Sequence, residues 1–300
     1  MRVAWAAWVQ GLLALAKAGL FITIAAILVH QVYFAPSRLA SQRAEVIKRF
    51  EQERKSRVIA LIHRQETVSV FGVPVSSNIT IEDSEAVLRA IRLTPEGQPI
   101  DVILHTPGGQ VLAAEQIAKA LSERKAKVTV FVPHYAMSGG TIIALAADQI
   151  IMDANAVLGP VDPQIGDMPA ASIVRMVEIK GPANVSDQML VLADVAQKAR
   201  IQVAYFVSEI LRKHYSRKKS IEIATILSEG RWTHDFPILV VNAKELGLPV
   251  TTDMPRTVYD LMDLYPQGAK GWPSVLYVPV RPAPNTFGPQ PPLPATCTVT

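Results

Sequence analysis

The sequence predicts an α/β fold on a mostly parallel sheet, carried behind an apolar N-terminal span. Three observations lead there. Through the middle of the chain, short β-branched runs alternate with segments of helical period, the pattern of strand–helix–strand units. Those runs are nearly continuous in apolar residues, as expected of a sheet covered on both faces. Charge is also uneven: the 300 residues carry a net charge of +4, yet all of the positive excess lies in residues 1–64. With 49% hydrophobic and 19% charged residues, the composition excludes global disorder. The single cysteine, Cys297, excludes an intramolecular disulfide framework and a Cys-based zinc site.

Residues 1–35 contain no Asp or Glu and only Arg2 and Lys17 as side-chain cations. From Ala18 to Phe34 no formal charge occurs, and the apolar stretch upstream of Lys17 lengthens the run. A helix crossing the hydrocarbon core needs about 20 mostly apolar residues. Trp5, Trp8 and Tyr33 flank the run as interfacial aromatics do. A signal peptide has a shorter apolar region, about 7–15 residues, and a small-residue cleavage site. Residues 1–35 are therefore expected to form an uncleaved transmembrane helix.

Residues 36–64 hold eight Lys/Arg against three Glu, a net charge of +5, and residues 65–300 are net −3. A slightly acidic body gives no support to nucleic-acid binding. A basic segment directly after an apolar span follows the positive-inside pattern, which places the C-terminal domain in the cytoplasm and draws the segment to anionic lipid headgroups. Leu39, Arg43, Val46 and Phe50 fall at helical spacing after Pro36-Ser37. They predict a basic juxtamembrane helix over 36–64, either solvated or a short oligomerising one.

The domain proper is expected over 65–265. Residues 67–72 alternate and read as a strand, and 81–91 read as a helix starting near Asp83 or Ser84. Residues 100–105 form a compact apolar strand that ends at Thr106-Pro107-Gly108-Gly109. In the helix of 110–123, Val111, Ala114, Ile117, Ala118 and Leu121 share one face. Strands follow at 128–132 and 149–152, with a small-residue helix over 138–147 between them. A tail, 266–300, closes the chain; seven prolines fall within 279–300, so it cannot pack a core.

Two glycine-rich turns sit at the carboxyl ends of successive strands, where α/β sheets place their sites. Adjacent glycines at 108 and 109 let backbone N–H groups approach a ligand closely. Ser138, between small residues at the start of a helix, meets a helix N-terminus that favours developing negative charge. Taken together the two turns are the halves of an acyl-transfer site, a nucleophile and an oxyanion hole. Taken singly, a Gly-Gly pair is an ordinary turn and Ser138 an ordinary N-cap. Position 136 is alanine, so the G-x-S-x-G elbow of α/β-hydrolases is not indicated.

The stretches LHTPGGQVLAAEQIAKAL and VFVPHYAMSGGTIIALAADQIIMD resemble the core of the Clp-protease/crotonase superfamily. Within it the chain is most similar to the signal-peptide-peptidase-like branch, and more narrowly to the serine dehydrogenase proteinase family. The runs NAVLGPVDPQIG, GRWTHDFPI and AKELGLPV carry the narrower likeness. The resemblance spans roughly 60–260 and implies repeated ββα units. It also implies Ser138 as nucleophile and the amides of Gly108 and Gly109, with Gly139 beside them, as oxyanion donors.

The general base stays open among three residues. The histidine that follows the serine in Clp proteases has no counterpart in 155–162. Lys180 stands about where signal-peptide-peptidase-like enzymes carry a catalytic lysine, and a desolvated lysine can act as a base. His234, with an upstream aspartate such as Asp162, satisfies the Ser–Asp–His order that the narrower family suggests. Lys198, inside a helix, is the third. A Ser–Lys dyad with Lys180 is preferred over the others.

His63, His105 and His134 do not stand at metal-ligand spacing, so no metal is expected. Without a G-x-G-x-x-G fingerprint or a pyridoxal-phosphate motif, no cofactor is expected either. The expected protein is a single-pass, membrane-anchored serine endopeptidase acting on peptides or membrane proteins, and by resemblance a homo-oligomer. The alternative is a catalytically inactive membrane-tethered scaffold or chaperone-like protein on the same fold.

Overall fold

The computed structural model describes residues 17–24, 35–63, 68–70, 73–75 and 78–265. The expected transmembrane span falls largely outside the described residues; within it, 17–24 are helical. Among the described residues no helix is long and apolar enough to cross a membrane. The proline-rich tail, with Cys297, also lies outside them.

The elements in chain order are helix α1 (Ala35–Arg54), strands β1 (Arg57–Ile62), β2 (Val68–Val70) and β3 (Val73–Val75), helix α2 (Ile81–Arg92), strand β4 (Ile100–His105) and helix α3 (Val111–Ser122). Then come β5 (Val128–Val132), β6 (Tyr135–Ala136), α4 (Gly139–Leu145), β7 (Gln149–Met152), β8 (Val157–Leu158), β9 (Gln164–Ile165) and β10 (Met168–Pro169). The chain continues through α5 (Ala170–Lys180), α6 (Asp187–Leu211), α7 (Arg217–Ser228), β11 (Ile238–Leu239), α8 (Val240–Glu245), β12 (Val250–Thr251) and α9 (Arg256–Asp263).

The main sheet has the order β1-β4-β5-β7-β12, and every neighbouring pair in it is parallel. All six residues of β4 and all five of β5 are buried. This is the two-sided covering that the continuous apolar runs require. On one face Val102, Leu104, Val130 and Ile150 pack with Ile117 and Leu121 of α3 and with Val207 and Leu211 of α6. On the other, Ile103, Phe131 and Ile151 pack with Phe50 of α1 and with Val258 and Leu261 of α9. The Phe50 and Phe131 rings meet edge to face at 5.4 Å. Such a pair adds about 0.5–1.5 kcal/mol beyond its buried area.

The basic segment 36–64 differs from its expectation. The helix stops at Arg54, Lys55 turns the chain at φ 53°, and Arg57–Ile62 becomes the edge strand of the main sheet. The run RVIALI is β-branched and pairs with β4 over its whole length. The helix is also docked rather than solvated all round. Several of its cations are spent inside the molecule. Arg54 Nε donates to the buried Asp101 carboxylate at 2.7 Å, Arg49 pairs with Asp260, and Arg43 donates to Leu264 O and covers the Tyr265 ring. Asp101, the one charge in the buried strand β4, also accepts from Ser56 Oγ at 2.7 Å, so its burial is compensated. Within the strand expected over 67–72, the described residues Val68–Val70 are a strand, β2, paired antiparallel with β3.

Candidate active site

The site is assembled by a second sheet made of three two-residue strands in the order β11-β8-β6. β6 runs parallel to β8, with Ala136 beside Leu158. β11 runs antiparallel to β8, with Ile238 also beside Leu158. The chain therefore leaves β6 and β8, and enters β11, at one common edge. Ser138 stands two residues past β6, Asp162 four past β8, and His234 four before β11. Three segments distant in sequence are brought to one edge by six paired residues.

Ser138 occupies the tight step from β6 into α4. Its backbone is at φ 51°, ψ −117°, and its side chain makes no helix-capping bond. A non-glycine residue at positive φ costs about 1–3 kcal/mol and persists where the surroundings over-determine it. An ordinary N-cap serine has extended backbone and bonds an amide of the first turn; Ser138 does neither. The surroundings explain the strain. Met137 N donates to Thr106 O at 3.0 Å, and Gly140 N donates to Met137 O at 2.7 Å. Thr141 Oγ1 donates to Ala136 O at 2.7 Å and accepts from Gly159 N at 3.0 Å.

The glycines around Ser138 are there because nothing larger fits. A Cβ on Gly108 would lie 2.7 Å from Ser138 Cβ, and one on Gly140 would lie 2.5 Å from the Thr106 methyl. A Cβ on Gly109 would strike the Ile79 backbone at 2.4 Å. Gly108 and Gly109 are at φ 108° and 153°. The turn is pinned to the strand-like residue Ile79: Ile79 N donates to Gly108 O at 2.7 Å, and Gln110 N donates to Ile79 O at 2.9 Å. Because a trans peptide points its N–H opposite to its C=O, the Gly109 amide faces away from Ile79. Among the described residues the amides of Gly109 and Gly139 have no acceptor, whereas Gly108 N donates to Thr106 Oγ1 at 3.1 Å.

His234 is partly exposed and Asp162 buried, and His234 Nδ1 donates to Asp162 Oδ1 at 2.8 Å. Asp162 Oδ2 accepts from Gln164 Nε2 at 2.7 Å. A carboxylate only accepts, so the Nδ1 position carries the hydrogen and Nε2 presents its lone pair. His234 lines a cleft of about 620 Å³ together with Pro107 of the glycine turn, His134, and Met137 next to Ser138. His134 in turn stacks on the buried His105, with ring centroids 5.7 Å apart.

Lys180 is the last residue of α5 and is exposed, and its carbonyl accepts from Asn184 Nδ2. Lys198 is exposed on α6 and pairs with Asp194 one turn away. Neither lines the cleft. No cluster of three or more His, Cys, Asp or Glu suited to a metal occurs among the described residues. In the sequence Asp83 marks only a helix start, Thr106 only the head of the glycine turn, and His63 only a histidine without metal-ligand spacing. No pattern along the chain links the three.

Comparison with known proteins places the chain. Two uncharacterized proteins of Methanocaldococcus jannaschii are 57% and 55% identical to it. The first alignment covers 80% of this chain and 82% of the relative, the second 84% and 88%. The membrane protein NfeD1b of Bacillus subtilis is 30% identical over 132 residues, 43% of this chain and 27% of that protein. Among solved structures, ClpP1 of Listeria monocytogenes matches 68% of this chain and 96% of its own at 17% identity and a TM-score of 0.43. A membrane-bound stomatin-specific protease, 1510-N, matches 62% and 79% at 19% identity and a TM-score of 0.40. The sequence model of the ClpP-like SDH-type serine proteinases matches residues 11–287. With nearly the whole chain inside that match, the protein belongs to the ClpP-like SDH-type serine proteinase family, and its α/β fold is ClpP-like.

Proposed function

We propose that Ser138 is the nucleophile of this serine proteinase, His234 its general base, and Asp162 the group that holds His234 in the base-competent tautomer. The convergence of the three at one edge of the β11-β8-β6 sheet carries the reading. Ser138 Oγ attacks the scissile carbonyl while His234 Nε2 takes its proton. The amides of Gly109 and Gly139 receive the oxyanion; the amide of Gly108, also expected as a donor, is committed instead to Thr106 Oγ1. His234 then returns the proton to the leaving amine, and water repeats the sequence on the acyl-enzyme. His234 replaces Lys180 as the preferred base because it lines the cleft and has an orienting carboxylate, and Lys180 has neither.

The proposal extends to setting. Residues 1–35 serve as a single membrane anchor ahead of a cytoplasmic domain, and membrane proteins or hydrophobic peptides are the substrates. The apolar run and the basic excess after it support this. The exposed Arg38, Lys48 and Lys55, which have no acidic partner among the described residues, are the cations of that segment available to anionic lipid. A homo-oligomer is part of the same reading, and residues 266–300 are its proline-rich tail.

Serine-reactive labelling and casein hydrolysis by Ser138→Ala, His234→Gln, Asp162→Asn and Lys180→Ala variants test the catalytic assignment. The first is expected to be inert, the second and third to lose about 10²–10⁴-fold in kcat, and the fourth to keep wild-type rates. An inert Lys180→Ala beside an active His234→Gln would restore the dyad.

A further inference from the structure

Behind the glycine turn lies a second acid–imidazole–hydroxyl chain that the catalytic reading does not use. Asp83 Oδ2 lies 3.3 Å from His63 Nε2, and His63 Nδ1 lies 2.8 Å from Thr106 Oγ1. Thr106 Oγ1 in turn accepts from Gly108 N at 3.1 Å. Thr106 is fully buried and His63 nearly so, so this hydroxyl cannot reach a substrate. The order of groups resembles that of a serine triad, but its end is a peptide of the glycine turn.

Hydrogen counting fixes the direction of each bond. The Asp83 carboxylate only accepts, so His63 Nε2 carries a hydrogen. Burial pushes the His63 pKa down, against the opposing pull of Asp83, and favours the neutral ring. Nδ1 of that ring is then an acceptor, and the Thr106 hydroxyl donates to it at 2.8 Å in preference to Gly108 O, which lies 3.4 Å away and already accepts from Ile79 N. With its one hydrogen spent, Thr106 Oγ1 has lone pairs left only to accept, and Gly108 N–H is the donor that meets them. Asp83 is itself fixed, because Oδ2 accepts from Thr80 N at 2.8 Å and from Thr80 Oγ1 at 3.0 Å in the capping box of α2. Thr80 follows Ile79, the residue that grips the other side of the turn. The N–H and the C=O of Gly108, which lie on successive peptides, are thus both governed from one point at the start of α2.

We propose that His63, held by Asp83, is a positioning residue that sets the Thr106 hydroxyl as an acceptor for Gly108 N–H, and thereby fixes the Pro107–Gly108 peptide so that the next amide, that of Gly109, is aimed at the oxyanion of the Ser138 reaction. This rests on the catalytic reading of Ser138 given above. A turned hydroxyl would leave Gly108 N–H facing a hydrogen, and the peptide would rotate. A donor displaced by about 1 Å loses on the order of 10²-fold in rate. Substrate binding in the cleft, lined by different residues, would be little affected.

The test is the labelling of the full chain by a fluorophosphonate probe, resolved into kinact and KI. In that reaction Ser138 Oγ displaces fluoride from phosphorus, and the phosphoryl oxygen enters the oxyanion site. Thr106→Val and His63→Gln are expected to lower kinact about 10–10²-fold with KI within about twofold of wild type. Thr106→Ser and His63→Asn, which keep the hydroxyl and an acceptor near the Nδ1 position, are expected to restore most of kinact. Should Thr106→Val fail to fold, Asp83→Asn reads the same chain from its far end, with a loss of about tenfold expected. Wild-type kinact in the folded variants overturns the proposal, as does a loss that tracks Tm and spares neither kinact nor KI. Ser138→Ala separates the two readings: its full labelling would reject the catalytic serine, whereas an inert Ser138→Ala beside fully active Thr106→Val and His63→Gln rejects only the positioning chain.

Discussion

Replacing Gly108 by alanine tests the glycine turn where it meets the proposed nucleophile. A Cβ there would sit 2.7 Å from Ser138 Cβ, 3.0 Å from Met137 O and 3.3 Å from Gly139 N. Carbon atoms settle at about 3.5–4.0 Å, so the serine and the turn must separate by roughly 1 Å. Two of the three neighbours are backbone and cannot swing aside. A misplacement of that size costs about 10²-fold in rate. Separately, alanine at φ 108° is strained by about 1–3 kcal/mol. In a domain of this size that lowers Tm by a few degrees, at about 2–4 °C per kcal/mol. Gly247→Ala is the matched control. It shares a positive φ, 86°, but its nearest new neighbour is the flexible Lys219 Cε at 3.8 Å. Both variants are expected to lose Tm through backbone strain, Gly108→Ala the more because of its overlaps, and only Gly108→Ala is expected to lose activity. Tm by calorimetry and hydrolysis of labelled casein at 25 °C read the two effects separately. Wild-type hydrolysis by Gly108→Ala, or an equal loss in Gly247→Ala, would show that the turn does not set the position of Ser138.

Two further outcomes follow from strain and burial. Ser138→Gly removes the positive-φ penalty at residue 138, so it is expected to be inert yet to melt about 2–6 °C above Ser138→Ala, which keeps the penalty; equal Tm values would show that the backbone there is not strained. Burial lowers the pKa of His63, and of His214 against the opposing pull of Asp148 and with help from Lys213. Each therefore binds its proton more weakly folded than unfolded, where the value is about 6.5. Their contribution to stability is complete above that value and is lost as pH falls through it toward the lower folded values. Tm is expected to drop between pH 7.5 and 6 and to drop less in a His63→Asn/His214→Asn double variant; a Tm that rises over this interval would reverse the sign of both assignments.

The parts of the molecule legible in the sequence are those with a local signature. The runs at 100–105, 128–132 and 149–152 are continuous and apolar because the strands are covered on both sides. The helices at 81–92 and 111–122 declare themselves by one buried face. The two glycine turns stand out because close backbone approach admits no side chain, and Gly108, Gly109 and Gly140 each show such an approach. The edge strand Arg57–Ile62 was hidden because its arginine and the charges before it continue a basic helix, and only its pairing with β4 separates the two.

The α/β class, the order of most strands and helices, the family, and the candidate serine beside its glycine turn can all be read along the chain. Only the packed fold shows which residues arrive at the same end of the small sheet as that serine. His234 and Asp162 are 72 positions apart, and they meet because β11 and β8 pair through two residues each. Two-residue strands are too short to carry a period, so no pattern along the chain announces that contact. The link from His63 to the glycine turn is of the same kind, a register between neighbouring parallel strands. Periodicity records the face that each segment buries, but the partner across the site is set by how the segments pack, and that is a property of the whole fold.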